Sequence, residues 1–158
     1  MNWSRTGGET MSVCFMDSSA LVKRYRFEAG SERVTALIED SERVIVARLA
    51  HVEVSAAIVR RGRVVAAPRR QLESVLEMVD REMLDLFDVV EIDDSIMANA
   101  TALARRHGLR AADAIQLACA QVARDNARQQ EFVLVGSDLE LNAAGSAEGI
   151  SILDPTKD

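Results

Sequence analysis

Short apolar runs alternate along this chain with longer stretches in which apolar residues recur every three or four positions. Val13–Met16, Val44–Val46, Phe87–Ile92, Phe132–Val135 and Ile150–Leu153 read as strands. Most lack the strict apolar–polar alternation of a sheet open to water on one face, so they are expected to be covered on both. The intervening stretches predict helices. Ala20–Tyr25 follows Asp17-Ser18-Ser19, a group suited to a helix N-terminus, and Glu32–Asp40 carries a stripe of Val34, Leu37 and Ile38 after Gly30-Ser31. Ala47–Arg61 is a third helix, with Gly62 placed to end it, and Pro68 opens a fourth whose stripe is Leu72, Val75, Leu76 and Val79. Asp93-Asp94-Ser95 caps a helix to Arg106 that His107-Gly108 closes. Arg110–Arg128 follows, with Ile115, Ala118, Cys119 and Val122 facing inward, and Leu139–Ala144 is a short last helix. Strands separated by helices predict an α/β fold with a mainly parallel central sheet of about five strands and helices on both faces.

Composition narrows this picture. The 158 residues suit one domain, and 48% hydrophobic with 28% charged residues excludes a disordered chain. Met11 opens the first strand-like run, so residues 1–10 read as a flexible N-terminal extension and 11–158 as a single domain. No apolar run approaches the roughly 18 residues that span a bilayer. The first residues lack the apolar stretch of a signal peptide, and a cytoplasmic location is expected. Cys14 and Cys119 stand among apolar neighbours and read as small buried hydrophobes. With His51 and His107 as the only histidines, and no cysteine or histidine at zinc spacing, neither a zinc site nor a serine–histidine triad is supported. The glycines form no phosphate-binding loop of the G-x-x-x-x-G-K-S/T kind.

Candidate chemistry lies in four acids. Asp17 closes Val13–Met16, Glu53 interrupts an apolar helix, Asp113 sits in Leu109-Arg110-Ala111-Ala112-Asp113-Ala114-Ile115, and Asp138 follows Phe132–Val135 and Gly136-Ser137. Each alone has an ordinary explanation. Asp17 and Asp138 suit helix caps, Asp113 suits the positive end of a helix, and Glu53 has Arg48 and Arg60 as candidate partners on its helix. Together they are harder to dismiss, because desolvating unpaired carboxylates costs several kcal/mol each. Sites in parallel sheets form beyond the carboxyl ends of the strands, where these acids are able to meet. A hard divalent cation, which prefers carboxylate oxygen, would reconcile them.

Met16-Asp17-Ser18-Ser19-Ala20-Leu21-Val22-Lys23, Val52-Glu53-Val54-Ser55-Ala56-Ala57, Leu109 to Ala118 and Val135-Gly136-Ser137-Asp138 resemble the four acidic motifs of PIN-domain nucleases. Their wording is most similar to the VapC-type toxins of type II toxin–antitoxin modules. The resemblance covers Met11 to Pro155 and implies a PIN-like three-layer α/β/α domain. It also implies a Mg²⁺- or Mn²⁺-dependent endoribonuclease that hydrolyses RNA phosphodiester bonds with a metal-activated water. On this resemblance Asp17, Asp113 and Asp138 would hold the metal, Glu53 would complete the catalytic set, and Ser19 and Ser137 would position carboxylates. A homodimer and a VapB-type antitoxin partner are implied as well.

The net charge of −6 stands against a polyanionic substrate, unless relief is local. Arg60, Arg61, Arg63, Arg69 and Arg70 form a basic stretch that is either an RNA-binding surface or a solvated corner between two helices. A phosphatase or receiver-type domain also places an Asp after its first strand. Here Ser19 stands where such phosphatases carry a second Asp, and the only late lysine is Lys157. A non-catalytic PIN-like binding module is the other alternative, which the full set of four acids opposes.

Overall fold

The computed structural model describes residues 12–128 and 130–157, so the extension read for residues 1–10 lies outside the described residues. Five strands form one parallel sheet: β1 (Ser12–Met16), β2 (Arg43–Ala47), β3 (Asp88–Val90), β4 (Glu131–Val135) and β5 (Ile152–Leu153), in the order β3-β2-β1-β4-β5. Between β1 and β2 come α1 (Ser18–Leu21), a 3₁₀ turn (Val22–Arg24) and α2 (Ser31–Asp40). The pair α3 (Arg48–Val64) and α4 (Arg69–Asp85) connects β2 to β3, α5 (Asp94–His107) and α6 (Ala111–Ala127) connect β3 to β4, and α7 (Leu139–Ala147) precedes β5.

Alternation along β1 builds the three layers. Val13 and Phe15 point into a core shared with Leu103, Leu117, Ala118 and Leu141, under α5, α6 and α7. Cys14 and Met16 point the other way, into a core with Leu21, Val34, Val54 and Val79 under α1 to α4. Phe15, Met16 and Leu117 are fully buried, each such side chain contributing about 1.5–3 kcal/mol. Helix α6 is buried around most of its circumference, and its alanines at 114, 118, 120, 123 and 127 allow close approach to its neighbours. Among the described residues no helix is long and apolar enough to cross a membrane.

Several expected boundaries move. The helix begun at Ser18 tightens to 3₁₀ at Val22 rather than continuing to Tyr25. Gly62 does not end α3, which runs to Val64. A Cβ at Gly62 would lie 3.0 Å from Leu72 Cδ1, so the glycine admits α4 against α3. Pro68 is the residue before α4 rather than within its first turn. Helix α7 runs on to Ala147, and Ile115 and Val122 are only half-buried. The outer strands β3 and β5 are shorter than their apolar runs, since each has a ladder partner on one side only. Gly108 closes α5 as expected, in the left-handed region at φ 67°.

One chain reversal matters for function. From β1 the chain moves outward to β2 and β3, then returns across to β4 and β5. The carboxyl ends of β1 and β4 therefore flank the topological switch point, where open parallel sheets leave a crevice.

Candidate active site

Asp17 directly follows β1. Its backbone N–H donates to Val135 O at 3.0 Å, which continues the β1–β4 pairing by one residue and carries the side chain into the crevice. Its Oδ2 accepts from Ser19 N at 3.0 Å and from Ser19 Oγ at 2.5 Å, so Asp17 is also the cap of α1. Only 4% of the residue is exposed. Burial pushes its carboxyl up to about 6; the Ser19 donors oppose this and the charge of Glu53 adds to it. Among the described residues, no cationic side chain pairs with Asp17.

The end of β4 is tied to this cap. Ser137 N donates to Ser19 Oγ at 2.9 Å, while the buried Ser137 Oγ has no partner among the described residues. Asp138 caps α7 through Oδ1, which accepts from Leu141 N at 2.9 Å. Its Oδ2 accepts from Arg110 Nη2 at 3.2 Å, and Arg110 Nε donates to Asp113 Oδ2 at 3.1 Å. Asp113 stands in the first turn of α6. Its carboxyl is pushed up by burial and by the charge of Asp138, against which Arg110 works; Glu53 adds a smaller push.

Glu53 reaches the crevice from the second turn of α3. Neither Arg48 nor Arg60 holds it; Arg48 instead pairs with Glu91 beyond β3. Glu53 Oε2 accepts from Ser18 Oγ and, at 2.7 Å, from Gln116 Nε2. Ser18, Gln116 and Arg110 are thus site residues not singled out by sequence reasoning. The available signals were adjacency to Asp17 for Ser18 and membership of the Asp113 motif for Arg110. For Gln116 the signal was a lone polar residue on an apolar helix, one turn after Asp113.

The structure brings Asp17, Glu53, Asp113 and Asp138 into one crevice, each electrostatically coupled to at least one other. Their oxygens do not converge on one point: among the described residues no three Asp, Glu, His or Cys side chains are arranged to hold a single ion. Arg110 bridges Asp113 and Asp138, pairing with one oxygen of each. The chemistry of the donors nonetheless fits a hard divalent cation. They are all oxygen, and the buried carboxylate of Asp17, which no cationic side chain among the described residues offsets, is what such an ion would relieve.

The basic stretch lies apart from the acids. Arg60, Arg61, Arg63, Arg69 and Arg70 are exposed around the turn between α3 and α4, and of these only Arg69 has an acidic partner among the described residues, Glu73 at 2.6 Å. Arg60 follows Glu53 by seven positions on α3, which places it on the same face about 10 Å along the helix.

The fold has counterparts among known proteins. Residues 14–138 match the PIN domain family. Ribonuclease VapC45 of Mycobacterium tuberculosis (strain CDC 1551 / Oshkosh) is 33% identical over 153 residues, covering 92% of this chain and 100% of that protein. Ribonuclease VapC49 of strain ATCC 25618 / H37Rv matches to the same extent, at 33% over 92% and 100% of the two chains. Among solved structures, FitAcB from Neisseria gonorrhoeae superimposes with a TM-score of 0.64 at 18% identity, over 90% of this chain and 97% of that one. VapC20 of Mycobacterium tuberculosis, a sarcin-ricin loop cleaving toxin, gives 0.63 at 18% identity, over 84% and 95%. These two likenesses speak for the fold, and the closer sequence relatives speak for the family. The chain belongs to the PIN-domain family and, within it, to the VapC-type toxins.

Proposed function

We propose that this protein is a divalent-metal-dependent endoribonuclease, the toxin of a type II toxin–antitoxin pair, with Asp17, Glu53, Asp113 and Asp138 as its catalytic set. The observation that carries the reading is Asp17. It is a carboxylate 4% exposed, at the switch point of a parallel sheet, held by neutral donors and paired with no cationic side chain among the described residues. The family match and the named ribonuclease relatives support the same activity here.

Asp17, Asp113 and Asp138 would hold the ion, Mg²⁺ or Mn²⁺. When bound, it supplies Lewis-acid polarisation of the phosphodiester and a lowered pKa for the attacking water. The rest falls to the chain itself. Ser19 aims Asp17 through two hydrogen bonds and anchors the backbone of Ser137, keeping the ends of β1 and β4 in register. Glu53, with Oε2 already occupied, offers its other oxygen to orient a water. Arg60, Arg61, Arg63, Arg69 and Arg70 would receive the RNA backbone away from the acids, offsetting locally the net charge of −6. A VapB-type antitoxin and a second copy of the chain are the expected partners.

Incubation of the purified protein with RNA, in chelator and then with Mg²⁺ or Mn²⁺ restored, tests this. Cleavage is expected only with the metal and only with Asp17 intact. Undiminished cleavage in chelator, or by Asp17→Asn, would reject the reading.

A further inference from the structure

Gln116 is the most deeply buried polar side chain among the described residues, 1% exposed, on an otherwise apolar face of α6. Its amide nitrogen donates to Ser18 Oγ at 2.7 Å and to Glu53 Oε2 at 2.7 Å, and Ser18 Oγ itself donates to Glu53 Oε2. The amide oxygen Oε1 is buried with no partner among the described residues. An unmet buried acceptor is costly, and its presence calls for a reason. Rotating the amide by a half-turn would give Oε1 the Ser18 hydroxyl, but would also set it against the carboxylate of Glu53. The orientation is therefore dictated by Glu53, at the expense of Oε1.

The consequence for Glu53 is specific. Oε2 takes two donors from opposite sides of the crevice, one from the start of α1 and one from α6. Oε1 is then the carboxylate oxygen of Glu53 that has no donor among the described residues. We propose that Gln116, together with Ser18, is a positioning residue that fixes which oxygen of Glu53 serves the reaction. This rests on the reading that Glu53 belongs to the catalytic set. Gln116 follows Asp113 by one turn of α6, so a single helix carries one acid and the clamp of another.

The test is a double-mutant cycle with Mn²⁺ and a fluorogenic single-stranded RNA. Gln116→Met keeps length and volume while removing both donors. Loss of such an outer partner is expected to lower kcat by about 10- to 100-fold with KM nearly unchanged. In a Glu53→Gln background, Gln116→Met should cause no further loss, because its effect runs through the Glu53 carboxylate. A residue that only knits helices together would multiply its loss onto that of Glu53→Gln, and this result overturns the proposal. So does full kcat in Gln116→Met while Glu53→Gln is inactive. Full activity in Glu53→Gln itself would instead remove Glu53 from the catalytic set, and the positioning role with it. Should Gln116→Met fail to fold, Ser18→Ala takes its place in the same cycle. A metal-free readout runs alongside: the side-chain amide protons of Gln116 should exchange slowly in NMR spectra and shift on Glu53→Gln. Rapid exchange, unmoved by that substitution, would overturn the contact.

Discussion

The two halves of the acidic crevice are held in opposite ways. Asp17 and Glu53 are restrained by neutral donors from Ser19, Ser18 and Gln116, and neither has a cationic partner among the described residues. Asp113 and Asp138 share the guanidinium of Arg110, whose side chain is 73% exposed and stands at the cap position just outside α6. Neutral donors orient a carboxylate without cancelling its charge, so the first half stays electrostatically unsatisfied. The second half is satisfied by a cation that is free to leave, because little of it is packed. On the proposed reading, a crevice built this way would favour an incoming divalent ion twice over: the ion would relieve Asp17 and meet only a loosely held competitor.

The largest effect should come from breaking the unsatisfied half. Asp17→Asn is expected to reduce RNA cleavage at least about a thousandfold, read by single-turnover kinetics, with the circular dichroism spectrum unchanged. The same substitution should stabilise the metal-free protein. The Asp17 carboxyl is raised from 3.8 to about 6 in the fold, so the native state binds its proton more tightly than the unfolded chain does. Wild-type stability from this group is fully present below about pH 4 and is lost as pH rises through about 6, a change of about 3 kcal/mol. Asp17→Asn should escape that loss, so urea denaturation curves of the two proteins should separate above pH 6 and converge below pH 4. Separation at low pH instead would contradict a buried, proton-binding Asp17.

A smaller effect sharpens the role of the neutral donors. Ser19→Ala removes the 2.5 Å hydroxyl contact to Asp17 and the acceptor for Ser137 N. Hydrogen bonds to charged groups contribute about 1.5–3 kcal/mol, so stability should fall by that order above pH 6 and by less where Asp17 is protonated. Equal losses across the pH range would mean that the Ser137 contact dominates. The smallest effect belongs to the other half. Arg110→Ala should tighten Mn²⁺ binding severalfold in calorimetry, and the gain should shrink as salt rises. Weaker binding in this variant would show that Arg110 supports the ion site rather than competing for it.

Much of this arrangement was legible along the chain. The central strands β1, β2 and β4 are covered on both faces and therefore read as continuous apolar runs. Edge strands obey a weaker rule: Phe87–Ile92 and Ile150–Leu153 shrink to Asp88–Val90 and Ile152–Leu153, because a run of apolar residues does not say how many have a neighbour to bond. Gly62 was misread for a related reason. A glycine near a helix end looks like a stop, whereas its contact with Leu72 depends on a different helix. The four acids were visible because each breaks an apolar context. The ordinary explanations also hold for two of them, since Asp17 and Asp138 do cap helices while lining the crevice.

What the sequence determined by itself was the layered α/β plan and the identity of the acids, because both rest on local regularities: helical and strand periodicity, cap residues, and charges set in apolar runs. Tertiary structure alone decided their partners. Glu53 passes over the arginines of its own helix for Ser18, 35 residues earlier, and Gln116, 63 residues later. Arg110 reaches Asp138, 28 residues away, as readily as Asp113, three away. Such choices follow from how the return crossover lays α6 and the end of β4 beside α1 and α3. Hydrogen bonds and ion pairs act over only a few ångströms, so which donor meets which carboxylate is decided only once the layers have packed.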